Sequence, residues 1–262
     1  MLALAAGAAA AQVPNREARA TDVLRVCADP ASLPYSNQAE QGFENKIARL
    51  IAGELKRPLQ YYWFPQSIGF VRNTLQARQC DVISGIPTAQ DLVQNTNPYY
   101  RSVYAMVYRT GSGLTATSVG DPALRELSVG VVAGTPPASL LARYGMLERV
   151  RPYALVVDTR FDTPAKRAIE DVAAGEIDLA LIWGPIAGYY AKQQKVALTL
   201  VPLVNEPPDA RMDFHITMAV RQGEIEWKRQ LNDVLHKLEP QIAAILKDYA
   251  VPLLDATGKP IP

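Results

Sequence analysis

The chain is short of metal and redox side chains: two cysteines and two histidines in 262 residues. His215 and His236 stand apart, and no HxxxH, CxxC or clustered acidic set has metal-ligand spacing, so no metal is expected. The phosphate-cradling loops GxxxxGK[ST] and GxGxxG are missing, as is the GxSxG nucleophile elbow. No cofactor is therefore expected, and nothing in the spacing supports Ser/His/Asp chemistry. An excess of one charge is also lacking. The 27 basic and 26 acidic side chains leave +1, which offers no footprint for nucleic acid or for an anionic membrane surface. No stretch approaches the ~18 to 20 unbroken apolar residues of a membrane span, so membrane insertion is not expected.

What is present is enough apolar sequence to build a core, at 48% of residues, in one large domain or two small ones. Residues 1–21 open with MLALAAGAAAAQ, apolar but without a basic n-region; Ala9, Ala11, Ala18 and Ala20 offer A-x-A-like cleavage points. Two readings stand: the tail of a signal peptide, which predicts export to the periplasm, or a disordered Ala-rich extension. Cys27 and Cys80 each lie at or beside a predicted strand. They form a disulfide if those strands are sheet neighbours, since an oxidising compartment permits one, and are two buried thiols otherwise.

LRVCAD (24–29), LQYYWF and CDVISG read as strands, with GFENKIARLIAGELKR and GFVRNTLQAR as helices between them; Phe43, Ile47, Leu50, Ile51 and Leu55 fall on one helical face. A second series follows: strand LSVGVVAG, helix TPPASLLARYG, strand ALVVD, helix PAKRAIEDVAAG and strand EIDLALIW, which runs into a further helix at GPIAGYYA. Asn73–Gly85 overlays Glu170–Ile182 at a constant offset of 97, matching Leu75 with Val172, Cys80 with Ile177 and Asp81 with Asp178. Repeated strand and helix units predict two similar α/β lobes, each a mostly parallel sheet flanked by helices. RSVYAMVYR and the run ending in DFHITMAV read as the two hinge crossings. The expected boundaries are 22–109 with 212–262 for the first lobe and 110–211 for the second. Ligands of such sheets lie at the carboxyl ends of the strands, here facing each other across a cleft that closes by a hinge.

The candidate cleft residues follow from those ends. They are Asp29 and Tyr35 after the first strand, Trp63, Phe64 and Gln66 after the second, and Ile86 and Thr88 after the third. Arg101 and Tyr104 lie on the outgoing crossing, Thr135 and Trp183 in the second lobe, and His215 on the return. Thr135 either caps its helix or helps form an anion or carbonyl site with free N–H groups. His215 reads as structural or as a ligand contact, and His236 as a surface side chain. The aromatic residues together favour an apolar or flat binding surface over a charged one.

These segments resemble the type II periplasmic solute-binding proteins over nearly the whole chain after residue 21. Amino-acid receptors of that fold hold the ligand carboxylate with the arginine of a T-x-x-R motif, where GIPTAQDLV has Gln90 and Asp91. They hold the ammonium with an acid at the position of Trp183-Gly184-Pro185. Both halves of the clamp are missing, so amino-acid binding is not carried over. CADPASLPYSNQAEQGFENKIA, FPQSIGFVRNTLQARQCDV, NPYYRSVYAMVYR and IWGPIAGYYA are similar to the quinoprotein-dehydrogenase-associated binding proteins, including the J-type proteins of methanol oxidation clusters. That resemblance implies a periplasmic, non-enzymatic accessory protein, monomeric when alone. Its partner would be a PQQ-dependent alcohol dehydrogenase, with the associated cytochrome c as a further candidate. The dehydrogenase, not this chain, would hold the quinone and its metal. The alternatives are a receptor that delivers a small non-amino-acid solute to a membrane transporter, and an enzyme on the same fold using Asp29 as its acid or base.

Overall fold

A computed structural model describes residues 22–88 and 92–261; the Ala-rich leader and the Gln90-Asp91 pair lie outside the described residues. The first lobe begins with β1 (Leu24–Ala28), a short antiparallel pair β2 (Ala31–Ser32) and β3 (Ser36–Asn37), α1 (Phe43–Glu54) and β4 (Leu59–Trp63). A π-helical turn (Arg72–Gln76) then leads to β5 (Val82–Pro87), and β6 (Gln94–Asn95) precedes the long β7 (Tyr100–Arg109). Helix α1 forms because Phe43, Ile47 and Ile51 recur at four-residue steps and are all buried against the sheet. Strand β1 pairs in parallel with both β4 and β5, as strand–helix–strand crossovers require.

The second lobe contributes β8 (Val129–Val132), α2 (Pro136–Arg143), β9 (Val150–Tyr153), α3 (Pro164–Ala174), β10 (Leu179–Trp183), α4 (Gly184–Lys192) and β11 (Leu198–Pro202). The chain returns through β12 (Asp213–Val220) and ends in α5 (Ile225–Lys237) and α6 (Glu239–Asp248). These last helices pack Trp227, Leu231, Ile242 and Leu246 on the first lobe, as the return crossing predicts. In the second lobe, adjacent strand residues bury on opposite sheet faces: Met106 and Leu181 on one, Val107 and Ile182 on the other. Its central strands β8 and β10 are therefore apolar throughout rather than alternating.

Strand β7 belongs to both lobes. Tyr100–Val103 pair with β12, while Tyr104–Tyr108 pair with β10 and Ala105–Arg109, on the other side, with β11. The strand order β4-β1-β5-β12-β7-β10-β8-β9 thus passes from one lobe to the other inside β7, in the segment RSVYAMVYR. Cys27 and Cys80 form a disulfide with Cα atoms 5.4 Å apart, because β1 and β5 are sheet neighbours. Asp81 and Asp178 occupy matching places, each one residue before its strand; their N–H groups donate to Arg25 O within β1 and to Ser128 O just before β8.

Two elements differ from expectation. GFVRNTLQAR winds into a π-helical turn rather than an α-helix, with Gln79 N–H donating five residues back to Thr74 O. The Thr74 hydroxyl takes the Phe70 carbonyl at 2.6 Å, an acceptor that a regular turn would give to the backbone. ALVVD is not a strand. Pairing ends at Tyr153, whose carbonyl receives Ala133 N–H, and residues 154–158 form an irregular loop with Leu155 and Val156 exposed.

Candidate functional site

Between the lobes lies a cavity of about 420 Å³ whose walls include the aromatic side chains Tyr35, Tyr61, Tyr100, Tyr104, Trp183 and Phe214. A second cavity of about 360 Å³ shares Tyr35, Gln66, Tyr104, Leu155 and Trp183 with it and extends to Ile68 and Val156. Trp183 is placed by the junction of β10 and α4. Gly184 leaves no room for a side chain, since a Cβ there would lie 2.3 Å from Val103 O, and Pro185 starts the helix in its first turn. The indole is therefore the last side chain of the strand and faces the cleft. Tyr104 pairs with it in register, and the Trp183, Tyr104 and Phe214 rings meet edge to face, Trp183 lying 5.2 Å from Tyr104 and 5.7 Å from Phe214.

The buried polar side chains at this surface include Asp29, Ser36, Glu44 and Asn45. The Asp29 carboxylate accepts N–H bonds from Ala31 at 2.8 Å and Gln66 at 2.6 Å, and the Thr159 hydroxyl at 2.8 and 2.9 Å. Thr159 belongs to the second lobe, so this carboxylate ties the lobes together across the cleft. A second tie runs from Tyr190 OH to Leu33 O at 3.0 Å. Glu44, at the start of α1, accepts the Tyr99 hydroxyl at 2.6 Å. Burial pushes its carboxyl up to about 8, against which the Tyr99 bond acts only in part. Burial also raises the Tyr35 phenol, and takes that of Tyr104 to about 12, so these rings stay neutral across the physiological range. Among the described residues, no group of three or more His, Cys, Asp and Glu side chains is arranged to hold a metal ion.

Of the residues expected at the cleft, Asp29, Tyr35, Gln66, Tyr104, Thr135 and Trp183 line one or both cavities. Thr135 precedes α2, but its hydroxyl donates to Val132 O at 2.6 Å and makes no capping bond. The other six lie elsewhere. Ile86 is in the core beside the disulfide, Phe64 packs on Phe70 at its edge, and Trp63 stacks on Tyr61 at 4.5 Å. Thr88 is exposed beyond β5. Arg101 and His215 are register partners whose side chains share the opposite face of the sheet, where Arg101 pairs with Asp213 and reaches the carbonyls of Asp255 and Ala256.

The alternation of side chains along a strand explains that last result. The residue before each faces the cleft, so Phe214 lines the cavity where His215 does not and Tyr100 lines it where Arg101 does not, with Tyr104 on the same face as Tyr100. Sequence reasoning also missed Glu44, Asn45 and Leu155. Glu44 and Asn45 open α1, a helix read as ordinary amphipathic structure, and Leu155 lies in the segment read as a strand.

The model of the bacterial extracellular solute-binding proteins, family 3, matches residues 24–251. Protein MoxJ of Methylorubrum extorquens AM1 is 32% identical over 250 residues, covering 90% of this chain and 83% of that protein. Protein MoxJ of Paracoccus denitrificans is 28% identical over 96% of both chains. The crystal structure of the periplasmic binding protein XoxJ from Methylobacterium extorquens AM1 superposes with a TM-score of 0.77 at 44% identity, covering 89% of this chain and all of that one. From its fold, its cleft and these likenesses, the chain belongs to the family 3 bacterial extracellular solute-binding proteins, in the group that includes MoxJ and XoxJ.

Proposed function

We propose that this chain is a periplasmic accessory protein of a PQQ-dependent methanol or alcohol dehydrogenase. In this reading its cleft binds an apolar segment of that enzyme during maturation or activation. Kinship with MoxJ and XoxJ supports the system. One observation supports the mode of binding: the second cavity, which shares Tyr35, Tyr104 and Trp183 with the aromatic one, is lined by exposed aliphatic side chains of both lobes, Ile68 at 91% exposure, Leu155 at 57% and Val156 at 60%. Large apolar side chains left in water on both lips of a groove mark a surface that is covered when a partner binds. Burying each one is worth about 1.5 to 3 kcal/mol, and an aromatic anchor such as Trp183 at the centre adds the specific contact.

Catalysis has no equivalent support. Asp29, the carboxylate best placed to act as acid or base, already accepts hydrogen bonds from two backbone N–H groups and one hydroxyl. The test is calorimetry of the full chain against the cognate dehydrogenase, with and without its metal. Binding is expected, weakened about tenfold or more by Leu155→Asp or Ile68→Asp. No binding in any metal state, or rim variants that bind like the parent, would refute the reading.

The alternative is a receptor that passes a small solute to a transporter, which the enclosed volume of about 420 Å³ favours. A solute that stabilises the fold by about 2.7 kcal/mol at 100 times its Kd would identify it.

A further inference from the structure

The wall of the larger cavity contains two polar side chains that the partner-segment reading does not use. Glu44 and Asn45 are 6% and 1% exposed, and both line the cavity. Glu44 Oε2 and Asn45 Nδ2 are fully buried and have no protein hydrogen-bond partner. Buried polar atoms without partners cost free energy, on the order of 1 to 3 kcal/mol each, and usually face a ligand or water.

The bonds around them fix what they offer. Asn45 Oδ1 accepts N–H from Asn37 and from Gly42, each at 3.1 Å, so its Nδ2 is left as a pure donor. Tyr99 OH receives Gly85 N–H at 3.0 Å and gives its own proton to Glu44 Oε1. With Oε1 accepting, the acid proton of neutral Glu44 sits on Oε2. The groups that interact electrostatically with Glu44 are the phenols Tyr35, Tyr61, Tyr99 and Tyr100, all raised by burial and all neutral near pH 7. The wall therefore presents two neutral donors among aromatic rings.

We infer that Glu44 and Asn45 form a polar subsite for an uncharged, carbonyl-bearing group carried on a flat apolar body. A carbonyl oxygen is an acceptor for either donor and brings no second charge into a cavity whose other carboxylate, Asp29, already accepts two N–H groups and a hydroxyl. An ammonium group would meet the neutral Glu44 and the Asn45 amide as donors, and the Asp29 carboxylate in the same cavity is already engaged by those three groups. The same carbonyl chemistry is available from a free small molecule or from a side-chain amide of an inserted segment. The subsite does not depend on the dehydrogenase reading.

The experiment titrates the full chain with acetophenone, benzylamine, benzoate and toluene, which share one ring and differ in the head group. Acetophenone should bind with the highest affinity. Between pH 6.5 and 9.5 its affinity should fall about thirtyfold, because a folded-state value near 8 leaves only that fraction of Glu44 as a donor. Glu44→Gln keeps a neutral donor, and its acetophenone affinity should not change over that range. The fall in the parent protein is a test by itself if the variant does not fold. A second arm adds the dehydrogenase: displacement of acetophenone assigns the carbonyl to the partner segment, and undisturbed binding assigns it to a free molecule. The inference is overturned if benzylamine binds best, if toluene binds as tightly as acetophenone, if the pH dependence survives in Glu44→Gln, or if no probe binds.

Discussion

Replacing Glu44 with Gln should change how the stability of this protein depends on pH. The carboxyl is buried, its one protein partner is the Tyr99 hydroxyl, and its folded-state value is about 8 against 4.5 for the unfolded chain. Above pH 4.5 the unfolded state releases this proton and the folded state keeps it, so stability falls by about 1.4 kcal/mol per pH unit. The fall ends near pH 8, where the folded group ionises too. Its contribution is fully present below the unfolded value and is lost as pH rises through the folded one. Integrated, the loss is on the order of 4 to 5 kcal/mol, of which roughly 3.5 lies between pH 5 and pH 8. Gln keeps the oxygen that receives Tyr99 and does not titrate.

The assay is urea unfolding of both proteins from pH 5 to 9, read as the difference between them. The difference matters because burial raises Glu206 as well, which tilts the parent curve in the same direction. Glu44→Gln should gain on the parent steadily up to pH 8 and then level off. A difference that stays constant within about 1 kcal/mol would show that Glu44 ionises freely in the folded protein and that its environment is not the one described.

Reduction of Cys27–Cys80, or Ser at both positions, should destabilise the chain by about 4 kcal/mol, the loop-closure value for a separation of 53 residues, seen as a Tm lowered by roughly 10 °C. Gly188→Ala places a Cβ 1.8 Å from Ala250 O, where α4 meets the C-terminal segment; the mutant should unfold at markedly lower urea, and an unchanged midpoint would contradict that close approach. Thr159→Val removes the hydroxyl that bridges to Asp29, so small-angle scattering should show a more open pair of lobes with little loss of stability within each. Trp183→Ala should leave the fold intact and weaken binding of the dehydrogenase by about 2 kcal/mol or more, measured by calorimetry.

The sequence by itself determined the two α/β lobes and the order of most strands and helices and pointed to an aromatic surface that includes Trp183, while it left open whether Cys27 and Cys80 join. Hydrophobic periodicity carries that information locally, because each strand or helix must bury one face or two. Only the tertiary structure decided which of two adjacent strand residues faces the cleft. Phe214 rather than His215, and Tyr100 rather than Arg101, follow from the register of β12 on β7, which is set by packing of the whole sheet. It also turned ALVVD from a strand into an exposed lip. The strand partner it needed was already satisfied as far as Tyr153, and the apolar residues beyond lie at the mouth of the cleft. Glu44 and Asn45 were invisible for a related reason. Acid and amide side chains at a helix start are ordinary in sequence, and only the burial of that helix end beside a cavity leaves their outer atoms without partners.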